Sequence, residues 1–191
     1  MTPARKAGAE AILDLSKKLG ALQFDEFQLT SGTPSSYYFD GRVVTLDPEG
    51  AYRVGRALLP LVVESGAQAV AGPAVAAVPI VTSIGVAGFL EGTPIHGLIV
   101  RSELKRHGTM NRIEGTVTPG TKVAVVDDTC STGGSLLDAI EAVEESGCRV
   151  VKVMCILDRR MGGSDEIRHR GYDFTALLEA TEAGDITLPV E

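Results

Sequence analysis

The sequence predicts an α/β fold with a central parallel sheet flanked by helices on both faces. Three observations carry this. Val123–Val126 and Val150–Leu157 are apolar runs rich in β-branched residues, with little of the alternation of a half-exposed strand, as expected of strands buried on both faces. Segments with apolar residues at helical spacing lie between such runs, so strand and helix alternate along the chain. Glycines punctuate the transitions, at Gly20, Gly66, Gly72 and Gly147.

Each element has its own signal. Thr2-Pro3 offers an N-cap and a first-turn proline to a helix whose stripe is Ile12, Leu13, Leu15 and Leu19. Phe24 to Leu29 reads as an edge strand, 30–36 as a turn, and Tyr37-Tyr38-Phe39 as a strand sending Tyr37 and Phe39 to one side and Tyr38 to the other. Asp47-Pro48-Glu49 opens a helix that Gly66 stops, and Ala69–Ala71 is a short strand closing in Gly72-Pro73. Val75 to Leu90 reads as a small, apolar, buried helix that tolerates Pro79 only in its first turn. Ile95 to Val100 is the next strand. After the central helix and the strand 150–157, Met161-Gly162-Gly163 turns into a short helix through Ile167, and Tyr172 to Leu178 reads as a final edge strand.

The most informative stretch is Val123 to Ser135. Its strand reads as stopping at two adjacent carboxylates, Asp127 and Asp128. Thr129, Cys130, Ser131, Thr132, Gly133, Gly134 and Ser135 follow, and a helix opens with Leu136, Ile140 and Val143 on one face. This layout puts ligand-binding groups at the carboxyl end of a sheet strand. Small hydroxylated residues and glycines let backbone N–H groups converge on an anion at the helix N-terminus. The carboxylates would repel that anion and suit vicinal hydroxyls or a hydrated divalent cation. One ligand with both a phosphate and a diol is a sugar phosphate. An acidic N-cap at an ordinary strand–helix turn would account for one hydroxyl and at most one aspartate, but not for two aspartates directly after an apolar strand. No Gly-Lys-Ser/Thr and no Gly-x-Gly-x-x-Gly is present.

Composition narrows the class. At 191 residues the chain is most simply one domain with a full core, and 44% hydrophobic with 23% charged residues is ordinary for a globular protein. A net charge of −7 argues against a nucleic-acid partner, so any phosphate site must be local. Cys130, Cys148 and Cys155 are odd in number and lack zinc spacing, which fits a reducing, cytoplasmic setting; no membrane-length apolar stretch occurs. Cys130 reads as a small buried thiol, with no base near it in sequence. The polar stretch 101–112 carries Arg101, Lys105, Arg106 and Arg112 in an acidic protein, is long for a compact domain, and could neutralise a departing pyrophosphate while excluding water.

Val125 to Ser135 resembles the phosphoribosyl-diphosphate-binding motif of the type I phosphoribosyltransferases, which implies that family's fold. Two further stretches narrow the resemblance to the orotate phosphoribosyltransferases: Ser31-Gly32 through Ser35, Tyr37, Tyr38 and Asp40, and Arg101-x-x-x-Lys105-x-His107-Gly108 with Ile113-Glu114-Gly115. The resemblance spans the chain from the first helix to Leu178. It implies a single domain, 1–191, with a small N-terminal hood formed mainly by about residues 1–45.

The implied reaction is Mg²⁺-dependent transfer of a 5-phosphoribosyl group from its 1-diphosphate to orotate, a step of pyrimidine (UMP) biosynthesis. The resemblance implies catalytic roles for Lys105, His107, Arg101, Asp127 and Asp128. It places phosphoribosyl diphosphate on these residues, on Thr129 to Ser135, and on the turn at Val75 and Ala76, and orotate on Ser131, Arg159, Tyr38, Phe39 and Thr30. Arg159 matches the arginine that holds the acceptor's carboxylate, as a guanidinium fork suits. Mg²⁺ is expected mainly on the substrate's diphosphate and ribose hydroxyls, reaching Asp127 and Asp128 through water. A homodimer is implied, with the 101–112 loop reaching the neighbouring site. The chain departs from the pattern at Thr30, Ser102 and Ala76, where family members carry basic residues; Arg106 and Arg112 are extra cations that could offset the loss. A phosphoribosyltransferase for another base and a non-catalytic phosphoribosyl-diphosphate sensor are the alternatives.

Overall fold

The computed structural model describes residues 2–28, 34–102, 112–116 and 118–189. Thr2 accepts the N–H of Arg5 and Pro3 fills the first turn of helix α1 (Pro3–Lys18). Strands β1 (Leu22–Gln28) and β2 (Pro34–Phe39) form a two-stranded antiparallel sheet of their own, pairing Leu22 with Phe39 and Phe24 with Tyr37. The aromatic alternation holds: Tyr37 and Phe39 are buried and Tyr38 is exposed. The expected turn at 30–36 is strand from Pro34 onward. Leu29 and Thr30 lie outside the described residues. Asp40 caps a short helix α2 (Gly41–Thr45), and Asp47 caps α3 (Pro48–Glu64) by accepting the N–H of Gly50.

The main sheet begins with β3 (Ala69–Pro73), which crosses over through α4 (Ala77–Leu90) to β4 (His96–Val100). Pro79 sits in the first turn of α4, the one place it fits. The remaining elements are β5 (Ile113–Glu114), β6 (Lys122–Cys130), α5 (Gly134–Glu145), β7 (Arg149–Asp158), α6 (Gly163–His169), β8 (Phe174–Ala180) and β9 (Ile186–Thr187). The seven strands lie in the order β5-β4-β3-β6-β7-β8-β9. Pairing is parallel from β4 through β8, and the two outermost pairs are antiparallel.

Three expectations are corrected here. The two-residue strands β5 and β9 close the edges of the mostly parallel sheet, so β8 is not the expected edge strand. Strand β6 does not stop at the aspartates but runs on to Cys130, since β7 is long enough to pair with it there, Thr129 with Leu157 and Cys130 with Asp158. Helix α4 is apolar apart from Thr82 and Ser83 but only partly buried. Ile80, Val81 and Ile84 pack into the core, while Val86, Phe89 and Leu90 face outward.

The core has two halves, one on each face of the sheet. Val70, Ala124, Val126, Met154 and Ile156 pack with residues of α1, α3 and α4. Ala69, Ala71, Val123, Val125, Val153 and Cys155 pack with α5 and α6. Alternate residues of one strand thus serve opposite halves, which is why 123–126 of β6 and 153–157 of β7 are apolar without interruption. At Gly72 a Cβ would lie 2.4 Å from that of Ala77 and 2.5 Å from the carbonyl oxygen of Val126, so only glycine lets α4 start this close to the sheet.

Candidate active site

The carboxyl ends of β3, β4, β6 and β7 lie at one edge of the sheet, and the chain order reverses between β3 and β6. Ligands in open α/β sheets bind at such a reversal. The turns 74–76, 131–133 and 159–162 therefore belong to one site.

Asp127 and Asp128 are adjacent in sequence, and strand alternation sends them to opposite faces. Asp127 faces α5. It is 5% exposed; its Oδ2 accepts the Ser135 hydroxyl at 2.8 Å and its Oδ1 the N–H of Asp128 at 2.8 Å. Burial, reinforced by the charge of Asp128, pushes the Asp127 carboxyl up to about 7. Asp128 faces α2. It accepts the Thr129 hydroxyl at 3.3 Å, and burial raises its carboxyl as well, with Asp40 adding to the effect. A Cβ on Gly41 would stand 2.6 Å from the Asp128 Cβ, so α2 is laid directly against this carboxylate. Arg42 beside it is held in a two-pronged pair by Asp40, with both contacts at 2.9 Å, and this pairing lowers the Asp40 carboxyl.

The loop from Ser131 to Ser135 leaves the start of α5 open. Gly133 is the N-cap of α5 at φ 83°, and no side chain caps that helix. Thr132, Gly134 and Ser135 are exposed. The loop is backed by the next turn: Gly163 donates its N–H to the Ser131 carbonyl at 2.9 Å, and a Cβ on Gly163 would lie 2.3 Å from the Gly133 nitrogen. Arg159 donates its backbone N–H to the Cys130 carbonyl at 2.8 Å. Cys130 itself stands apart from its neighbours, because its side chain is in the core and burial pushes the thiol up to about 12. With its side chain in the core and its carbonyl taken by the Arg159 N–H, it differs from the exposed Thr132, Gly134 and Ser135.

Arg159 ties the sheet edge to the two-stranded sheet. Its Nη2 donates to the Phe39 carbonyl at 3.2 Å, and its guanidinium lies 5.3 Å from the centroid of the Tyr37 ring. Its Nη1 is buried with no hydrogen-bond partner among the described residues. Tyr38 turns outward and packs against Phe27, ring centroids 5.7 Å apart. Val75 and Ala76 lie in the turn after β3, Val75 well exposed, and Ala74 ties that turn to β4 through the Val100 carbonyl. Arg101 pairs with Glu114 at 3.2 Å. Arg112 is bound to Asp138 of α5 and donates to the Arg101 carbonyl. Lys105, His107, Arg106 and Thr30 lie outside the described residues.

Comparison with known proteins agrees with this geometry. The family model described as a phosphoribosyl transferase domain matches residues 67–177, more than half of the chain. The chain is 42% identical over 170 residues to the orotate phosphoribosyltransferase of Rhodopirellula baltica, covering 86% of this chain and 88% of that one. The chain belongs to the orotate phosphoribosyltransferases. The solved Mycobacterium tuberculosis H37Rv orotate phosphoribosyltransferase in complex with Fe(III) dicitrate superposes with a TM-score of 0.78 at 33% identity, over 93% of this chain and 97% of that one. The same enzyme in complex with 5-phospho-α-D-ribosyl 1-diphosphate gives a TM-score of 0.70 at 28% identity, over 94% and 90%.

Sequence reasoning missed the segment Asp40-Gly41-Arg42 as a neighbour of Asp128, and Tyr37 as the neighbour of Arg159. For the first, a signal existed: an acidic residue, a glycine and an arginine follow directly on the aromatic run. For the second there was none, since Tyr37 reads as an ordinary inward-facing strand residue.

Proposed function

We propose that the residues at this sheet edge divide the work of the family's reaction among them. As an orotate phosphoribosyltransferase, the chain transfers the 5-phosphoribosyl group of phosphoribosyl diphosphate to orotate, giving orotidine 5'-phosphate and diphosphate in pyrimidine biosynthesis. The backbone N–H groups and hydroxyls from Ser131 to Ser135 take the 5-phosphate. Asp127 and Asp128 hold the ribose hydroxyls, and their charge stabilises the oxocarbenium-like sugar as its bond to the diphosphate breaks. Backbone at Val75 and Ala76 meets the diphosphate, and Arg101, Lys105 and His107 close over it as it leaves. Arg159 takes the carboxylate of orotate, whose ring lies among Ser131, Phe39, Tyr38 and Thr30.

The donor set fits Mg²⁺ as an ion shared with substrate. Among the described residues no three His, Cys, Asp or Glu side chains gather to hold a metal, whereas the buried Asp127 and the half-buried Asp128 offer two carboxylates to an ion that the substrate brings. Asp127 and Asp128 would reach it through water. When bound it supplies charge neutralisation for the departing diphosphate.

The chain acts as one domain, 1–191, with residues 1–45 as a hood over the site. It works as a homodimer in the cytoplasm, the 101–112 loop of one copy reaching the active site of the other. The outward apolar side chains of α3 and α4 support a dimer: Tyr52, Val86, Phe89 and Leu90, with Leu46 nearby, leave an apolar face of the kind that marks an interface. Three free, buried cysteines fit a reducing compartment.

One observation carries this reading. A buried and a half-buried carboxylate, an uncapped helix N-terminus and a half-buried arginine with one buried, unpartnered donor meet at one strand reversal. The test is to mix the protein with phosphoribosyl diphosphate, orotate and Mg²⁺ and follow orotate's ultraviolet absorbance. Loss of orotate with matching orotidine 5'-phosphate, abolished by EDTA, is expected. Phosphoribosyl diphosphate bound without turnover would refute the division of roles, and no binding of either ligand would refute the site.

A further inference from the structure

The guanidinium of Arg159 is held in an unusual way for a side chain meant to receive an anion. No carboxylate pairs with it among the described residues. One nitrogen is spent on the Phe39 carbonyl, the other terminal nitrogen is buried with nothing to donate to, and the flat face lies over the Tyr37 ring. A buried, unpartnered arginine donor is costly unless a ligand completes it. An arginine left to itself would swing toward water or toward a carboxylate, because its long side chain retains much rotamer freedom. The backbone does not prevent this, since it fixes only the stem of the side chain through the Arg159 N–H to Cys130 bond.

What the structure supplies instead is a ring. Tyr37 is 7% exposed, pinned in β2 opposite Phe24, and so cannot drift. Burial raises its phenol above the ordinary value, with the Arg159 charge and the approach of the guanidinium to the hydroxyl offsetting part of this, so the ring stays neutral and presents its π-face to the cation. We propose that Tyr37 is a positioning residue for the acceptor: its ring fixes the plane of the Arg159 guanidinium so that the free Nη1 donor is presented to the acceptor's carboxylate. This rests on the reading of Arg159 as the acceptor's anchor. It gives the hood a part in acceptor choice that involves no direct contact between Tyr37 and the acceptor. A planar fork held in one orientation favours a carboxylate lying in that plane over a pyrimidine without one.

Steady-state kinetics on Tyr37→Met, Tyr37→Leu and Tyr37→Phe, each also made with Arg159→Met, test it. Met and Leu remove the ring but keep a hydrophobic filling, and the KM for phosphoribosyl diphosphate reports whether the sheet edge remains folded. The expected result is an orotate KM raised about tenfold by Met or Leu, with the KM for phosphoribosyl diphosphate unchanged. Phe, which keeps the ring, should rescue to within about twofold, and Met should add nothing once Arg159 is gone. The proposal is overturned if Met and Leu leave the orotate KM unchanged, raise both KM values alike, or act by the same factor in the Arg159→Met background. If Arg159→Met alone leaves the orotate KM at its wild-type value, the underlying reading of Arg159 fails, which is a separate and recognisable outcome.

Discussion

Replacing Asp127 by Asn should make the unliganded protein more stable while removing its activity. Burial, helped by Asp128, raises the Asp127 carboxyl from 3.8 to about 7, and the Ser135 hydroxyl and the Asp128 N–H offset only part of this. Each pKa unit is worth about 1.36 kcal/mol, so ionising Asp127 costs the folded, empty protein up to about 4 kcal/mol. Rearrangement around the charge lowers the usable figure, and a gain of about 2 kcal/mol or more at pH 8 is expected for the amide. The sign follows from the titration. The folded carboxyl keeps its proton between pH 3.8 and about 7, where the unfolded one has lost it. Wild-type stability therefore falls as pH rises through that window and is level above it. Asn does not titrate, so the advantage of the variant should be small near pH 4, grow up to about pH 7 and then hold.

Urea unfolding of both proteins in EDTA, at pH 4.5, 6 and 8, measures this directly, and kcat/KM measured with Mg²⁺ should fall by about a hundredfold or more. A variant less stable than wild type at pH 8, or an advantage that does not change with pH, would refute the claim that a buried charge is being held there at a cost. Stability and function are thereby linked: the carboxylate is strained when the site is empty and is relieved by a cationic sugar or a hydrated ion.

Three further outcomes are expected. Gly163→Ala must displace the Gly133 backbone, since its Cβ would lie 2.3 Å from that nitrogen; the KM for phosphoribosyl diphosphate should rise about tenfold with a loss of about 1–3 kcal/mol in denaturant unfolding. Lys105→Ala should lower kcat far more than it raises either KM, and a pure KM effect in initial-rate kinetics would contradict a role confined to the transition state. Cys130, Cys148 and Cys155 are all buried, so a thiol reagent should label none of them at pH 8 until urea is added; rapid native labelling of Cys130 would contradict a thiol held up near 12.

The elements that sequence made visible are those whose signal is local. Thr2-Pro3 and Asp47-Pro48 start helices through their own side chains, and β6 and β7 announce themselves because alternate residues are buried on opposite faces. Strands β5 and β9 leave no such trace, since two residues have no period and their pairing depends on a neighbour already in place. Helix α4 misled for a different reason. A helix that is apolar all round reads as buried, and nothing in its own residues tells which face meets the core and which remains open at Val86, Phe89 and Leu90. Arg159 and the Phe39 carbonyl are 120 residues apart, so the packing that orients the arginine could not be read from either segment alone.

The two aspartates show the same limit within the motif itself. Side by side in sequence, they invite one shared role, but a strand sends consecutive side chains to opposite faces. Asp127 answers to α5 through Ser135, and its charge state is governed by burial there. Asp128 answers to α2, where Gly41 leaves no room for a side chain and Arg42 is drawn aside by Asp40. Any shift of the segment between β2 and α2 must therefore move the surroundings of Asp128 before those of Asp127. That segment also carries the Phe39 carbonyl that holds Arg159. The acceptor end and the Asp128 side of the sugar end thus share one stretch of chain, residues 39–42, and a ligand that orders this stretch acts on both.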